Sequence, residues 1–148
     1  MLPSKALSVR QPWAWAIIHA GKDVENRSWQ AVNHGLKMRG PIAIHASSGL
    51  GKGEFEDARD FIESLGISCP HPADLKRGGM IGSVEVIDVV SEHESKWFFG
   101  PRGLILANPE PHEFIPVKGA LGYFNWRDSR TEDVPKLARW MEREQKAT

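Results

Sequence analysis

Apolar and polar positions along this chain fall into runs that predict short strands separated by helices. Residues 6–10 alternate, with Leu7 and Val9 set against Ser8 and Arg10, and predict a first strand. Pro12 then stands where a first helical residue belongs, and Gly21 stands where a left-handed residue closes a helix. The predicted helix, 12–20, places Trp13, Ala16, Ile17 and Ala20 at i, i+3, i+4 and i+7, a stripe that faces a core. Residues 24–29 read as a second strand, polar enough to leave one face wet. Gly40-Pro41 opens a third over 42–46, where Ile42, Ile44 and Ala46 point one way and Ala43 and His45 the other.

The second half continues in the same manner. Residues 54–65 carry Phe55, Ala58, Phe61, Ile62 and Leu65 at helical spacing, and Gly66 ends the run. A Cys-Pro-His-Pro turn follows. Residues 80–90 are β-branched and nearly continuous, with Glu85 and Asp88 as charged interruptions, and predict the central strand of a barrel. Two more strands, 102–107 and 114–117, are predicted either side of an Asn108-Pro109-Glu110-Pro111 turn. The tail over 134–145 is amphipathic, with Leu137, Trp140 and Met141 on one stripe, and predicts a C-terminal helix.

Chemistry concentrates around the first helix. Arg10 and Gln11 precede it, and Lys22, Glu25, Asn26, Arg27 and Trp29 follow it, so a rigid element holds both groups close together. Arg with Gln is a pair that reads base edges or phosphates; alternatively Gln11 caps the helix and Arg10 lies on a solvated face. Lys22 and Glu25 are candidates for an acid/base pair, and the bland alternative is a surface ion pair of about 0–1 kcal/mol. There are six tryptophans and one tyrosine. Most of those rings belong in the core. Trp15 lies about 200° from Trp13 by the helical period, so Trp13 is expected inside and Trp15, with Trp29, is expected to offer a ring to a base.

These blocks also resemble a known family. SxRQPWA, GK-x-VENRSW, GPIAIHAS, GSVEV, GPRGLILANPEP and GALGYFNW occur in this order over roughly residues 5–126 and are similar to the ASCH domain, a relative of the PUA domains. The resemblance implies an α+β fold, a small mixed PUA-like β-barrel with flanking helices, whose cleft holds RNA or a modified nucleobase. Some members resemble amidohydrolases that remove an acyl group from a modified cytidine. Where those relatives carry Thr, Lys and a separate Glu, this chain matches the lysine with Lys22 and has Glu25 in the threonine position. A carboxylate beside an amine favours the ammonium form, so binding is the first expectation. The alternative is a metal-independent hydrolase acting on RNA or an acylated nucleoside through Lys22 and Glu25.

Composition narrows the remaining classes. The 148 residues suffice for one domain with one core, and the expected organisation is a single ASCH domain over 1–148. With 19 basic and 19 acidic side chains the formal charge is zero, which argues against a generic polyanion binder. A local basic cleft is still expected, since Lys5, Arg10, Lys22, Arg27, Lys37 and Arg39 cluster early and acids dominate 54–63. One cysteine, Cys69, allows no internal disulfide, and no stretch approaches the ~20 apolar residues of a membrane span; a soluble, cytoplasmic protein without membrane contact is expected.

Ser47-Ser48-Gly49-Leu50-Gly51-Lys52-Gly53 invites a phosphate-loop reading, but Gly53 follows Lys52 where Ser or Thr is required for Mg²⁺. A weaker version keeps Ser47 and Lys52 at the rim of an anion-friendly helix start; a plain loop reads equally well. His45 is read as a core or cleft histidine. Cys69 and His71 lack the further ligands a zinc site needs, so neither a structural metal nor a cofactor is expected.

Overall fold

The computed structural model describes residues 1–30 and 33–143. Six strands build it: β1 (Lys5–Val9), β2 (Val24–Arg27), β3 (Gly40–Ala46), β4 (Gly79–Val90), β5 (Arg102–Pro116) and β6 (Tyr123–Asn125). Two α-helices, α1 (Trp13–His19) and α2 (Lys52–Ser64), lie between them. The strands form one curled sheet in the order β2-β5-β4-β3-β1-β6. The β1–β3 pair is parallel and the rest are antiparallel, so the α+β architecture is a mixed, PUA-like half-barrel with flanking helices.

The curl follows from irregular pairing of the two long strands. Ser83 faces Glu110 and Glu85 faces Ala107, so β5 carries one residue more than β4 across this stretch. Such a bulge bends a strand and increases its twist. It also corrects the expected turn at 108–111. Asn108 takes the left-handed conformation, φ 53°, and the extra residue is absorbed as a bulge, so the two predicted strands are one. Gly82 permits the close approach there, since a Cβ would meet the Glu110 carbonyl and Ile18.

The concave face holds Leu7, Val9, Ile42, Ile44, Val84, Val86, Leu104 and Leu106 around Ala14, Ile17 and Ile18 of α1. The other face of β1 and β3 packs Ala6 and Ala43 with Leu2, Met80, Val117 and Trp126. The alternation in β3 is therefore as expected, with both faces buried. α1 is buried on more than one stripe, because Ala16 packs outward with Ile62 of α2 and Trp97. β6 was not anticipated; three residues give no period to read.

The C-terminal helix expected over 134–145 is not formed in its described part. Arg139–Met141 makes a single 3₁₀ turn, and residues 144–145 lie outside the described residues. The buried Arg77 guanidinium donates to the Lys136 carbonyl (3.1 Å), the group that an α-helix would pair with the amide of Trp140. Met141 and Trp140 pack inward against Phe55, while Val134 and Leu137 are exposed, so the apolar positions do not share one face.

Among the described residues no helix is long and apolar enough to cross a membrane.

Candidate nucleobase-binding cleft

The seam of the half-barrel, where β2 comes back toward β1, is where the polar residues gather. Gly21, φ +74°, turns the chain out of α1, and the Lys22 amide returns to the Ala16 carbonyl (3.1 Å). Lys22 thus belongs to the turn, which lets its side chain reach the same side as Glu25. Its Nζ lies 3.1 Å from Glu25 Oε1, donates to the Val24 carbonyl, and sits 5.9 Å from the Trp13 ring centroid. The Lys22 side chain is 2% exposed. Glu25 Oε2 forms an ion pair with Arg27 Nη2 (3.0 Å), and the same Nη2 donates across the seam to the Ser8 carbonyl (2.7 Å). One carboxylate therefore joins two cations, and the second cation ties β2 to β1.

A cavity of about 370 Å³ opens over this network, lined by Ser8, Val9, Arg10, Trp13, Lys22, Glu25, Asn26, Arg27, Glu54 and Phe99. That is within the range of small-ligand sites, roughly 300–1,000 Å³. Arg10 forms a two-pronged pair with Glu54, Nη2 to Oε1 at 2.8 Å and Nε to Oε2. Glu54 also accepts from the Gly51 amide (3.1 Å) at the start of α2. The hydrogen bonds from Arg10 and the Gly51 amide hold the Glu54 carboxyl below the ordinary carboxylate range, against the opposing effect of burial. Three cations and two carboxylates leave the cleft with one net positive charge.

Several expected site residues do other work. Gln11 is 1% exposed; its Oε1 accepts from the Trp15 amide (2.9 Å) and its Nε2 donates to the Lys76 carbonyl (2.8 Å). It caps α1 and has no free amide group for a base. Trp13 packs against the core as expected, beside Phe61 and Trp97, and also lines the cleft, whereas Trp15 does not reach it. Trp15 packs beside Leu50, Leu75 and Cys69 because α2 covers the outer flank of α1. Trp29 does not line the cleft; its ring backs Arg27 (5.5 Å) and meets Tyr123 edge-on (5.6 Å). Ser47 and Lys52 lie outside the lining residues, Ser47 held by its amide on the Val9 carbonyl (2.9 Å) and Lys52 exposed at the first turn of α2. The arrangement brings together Arg10, Lys22, Glu25, Asn26 and Arg27. Sequence reasoning missed Ser8, Glu54 and Phe99. Glu54 was legible as the acid of a helix's first turn, and Phe99 as the last ring of an aromatic run before Gly100-Pro101.

Two buried polar atoms lie near this seam without a hydrogen-bond partner among the described residues, Arg27 Nε and Tyr123 Oη. Burial pushes the Tyr123 phenol up to about 12. Behind the site, His45 is 1% exposed, with Nδ1 2.5 Å from Ser8 Oγ and Nε2 2.7 Å from the Val117 carbonyl. A carbonyl only accepts, so Nε2 carries the proton and Nδ1 accepts from Ser8. Among the described residues no three His, Cys, Asp or Glu side chains group as metal ligands would.

Residues 7–147 match the family model described as the ASCH domain. The chain belongs to this family. This ASCH domain is also similar to human (Homo sapiens) Activating signal cointegrator 1, 30% identical over 122 residues, which cover 76% of this chain and 20% of that protein. The chain thus spans about a fifth of the length of the curated relative it matches. The ASCH blocks around α1 coincide with the seam network, and GPRGLILANPEP lies in the bulged β5.

Burial lowers the His45 pKa from its ordinary value, with the Val117 hydrogen bond opposing. Its folded value then lies below the unfolded one of about 6.5. As pH falls below that value the unfolded chain takes up the proton first, so stability contributed by neutral His45 is present above about pH 6.5 and is lost progressively until the folded pKa is passed. Denaturant titrations of the parent and of His45→Gln across pH 7.5 to 5 should show a shallower decline in the variant. Identical declines would remove His45 from the account.

Proposed function

We propose that this ASCH domain binds RNA or a modified nucleobase in the seam cleft, with Arg27 and Arg10 as the cations that meet the ligand. The observation that carries this reading is the Lys22–Glu25–Arg27 chain beneath an open cavity. Arg27 is held in place from three sides, by Glu25, the Ser8 carbonyl and the Trp29 ring, yet its side chain is 20% exposed and lines the cleft. A braced, partly exposed guanidinium suits a phosphate or carbonyl oxygen. ASCH domains generally bind RNA, which supports the choice of ligand class.

Lys22 supports binding over hydrolysis. Its ammonium is already engaged as a donor to Val24 and Glu25, so it offers no free lone pair to a substrate. A general base or nucleophile needs one.

Few phosphates are contacted in this reading, so affinity for single-stranded RNA should fall gently with salt. One to three neutralised phosphates give a log–log slope of roughly −0.7 to −2. Fluorescence anisotropy across salt concentrations reads the slope, and a value of about −6 or steeper would show a different, charge-dominated surface. Arg27→Gln should weaken binding at least about tenfold, in line with a hydrogen bond to a charged group.

A further inference from the structure

In the run Trp97-Phe98-Phe99 the first two rings are taken into the fold and the third is not. Trp97 is buried, Phe98 packs beside Val24 and Gly103, and Phe99 is 61% exposed while lining the cleft. A large apolar ring left in water at the edge of the cleft contributes little to the core. Its placement is nevertheless fixed. Asn26 Oδ1 accepts from the amides of Phe99 (2.7 Å) and Gly100 (3.1 Å), and Asn26 Nδ2 donates to the Trp97 carbonyl (2.9 Å). Phe61 of α2 braces the ring edge-on at 5.0 Å between centroids.

We propose that Phe99 is the ring on which a flat heterocycle stacks in this cleft, and that Asn26 is a positioning residue that holds it there; this rests on the nucleobase-binding reading above. Asn26 makes one donation and accepts twice, all to backbone groups of the 97–100 turn, so its amide is committed to that turn and not to a base edge. The ring lines the same cavity as Arg27 and Arg10, and ring plus cation is how single-stranded nucleic acid is held, base on the π-face and phosphate on the guanidinium. The ligand is therefore an unpaired nucleotide with its base unstacked from its neighbours. A base within a duplex has both faces covered and would not serve.

The test uses a single-stranded uridine octamer carrying one internal 2-aminopurine, read by anisotropy for affinity and by 2-aminopurine emission for stacking. Binding to the parent should quench the emission. Phe99→Leu keeps the apolar bulk without the π-face; it should bind at least about fivefold more weakly, the lower end of one base–aromatic stack, and should lose the quench. Phe99→Trp should keep both. Asn26→Ala should weaken binding in the parent and have no further effect in Phe99→Leu, because it acts through the ring. Phe99→Leu binding and quenching like the parent would overturn the stacking role, and losses that add in the double variant would overturn the positioning role. If the octamer binds and Arg27→Gln weakens it while Phe99→Leu does not, only this inference falls; if the parent does not bind the octamer this inference falls, and if it binds N4-acylated cytidine no better the nucleobase reading falls with it.

Discussion

Glu25→Ala is expected to lower the stability of the domain by about 3–5 kcal/mol, the range for removing one partner of a buried ion pair. Glu25 is the carboxylate between Lys22 and Arg27, at 3.1 and 3.0 Å. Without it two cations face each other in a site where the Lys22 side chain is 2% exposed. The loss measures what an uncompensated buried charge costs, not what the pair contributes. Lys22→Met combined with Glu25→Gln should therefore recover much of it, since apolar or neutral groups of similar size often replace a buried pair at little cost. Urea denaturation of the parent and the two variants checks this. Glu25→Ala within about 1 kcal/mol of the parent would mean that water reaches Lys22 freely and that the pair behaves as a surface one.

Trp126→Ala is the second large effect. The ring is 2% exposed, packs with Leu2, Ala6, Ala43, Met80 and Val117, and donates Nε1–H to the Pro3 carbonyl (2.6 Å). Arg127 and Arg130 stand over it at 4.9 and 5.1 Å. Removing it should cost about 3–5 kcal/mol from lost burial and the cavity left behind. Affinity for RNA in the folded fraction should hardly change, because the ring is on the convex side of β1, away from the cleft. A stability loss under about 1 kcal/mol would show that the chain ends do not seal this face.

Legibility in the sequence followed the range of the interactions. α1, α2, β1, β3 and β4 were readable because each carries its own period or terminator, as with Gly21 and Gly66. The single long β5 was not. Asn108 and two prolines signal a turn locally, and only pairing with β4 converts them into a bulge. The C-terminal helix failed for a similar reason, as Arg77, far away in sequence, claims the Lys136 carbonyl. At the site, the motif located Lys22, Glu25 and Arg27 but not their division of labour. Burial makes Lys22 the brace and leaves Arg27 as the donor. Removing Arg27 should also cost a modest amount of stability, since it ties β2 to the Ser8 carbonyl. Trp13 and Trp15 were assigned from the helix alone; Trp13 packs inside as expected but also walls the cleft, and Trp15 packs beside Leu50, Leu75 and Cys69 instead of offering a ring there.

The most direct test of the central claim is one incubation read two ways. The parent is mixed with labelled single-stranded RNA, and separately with N4-acylated cytidine, and each mixture is followed by anisotropy or calorimetry for complex formation and by mass spectrometry for product. The predicted result is a saturable complex with at least one of them, weakened at least about tenfold by Arg27→Gln, and intact ligand throughout. Cleaved RNA or deacylated cytidine produced by the parent and lost in Glu25→Gln would contradict the account and make the Lys22–Glu25 pair catalytic.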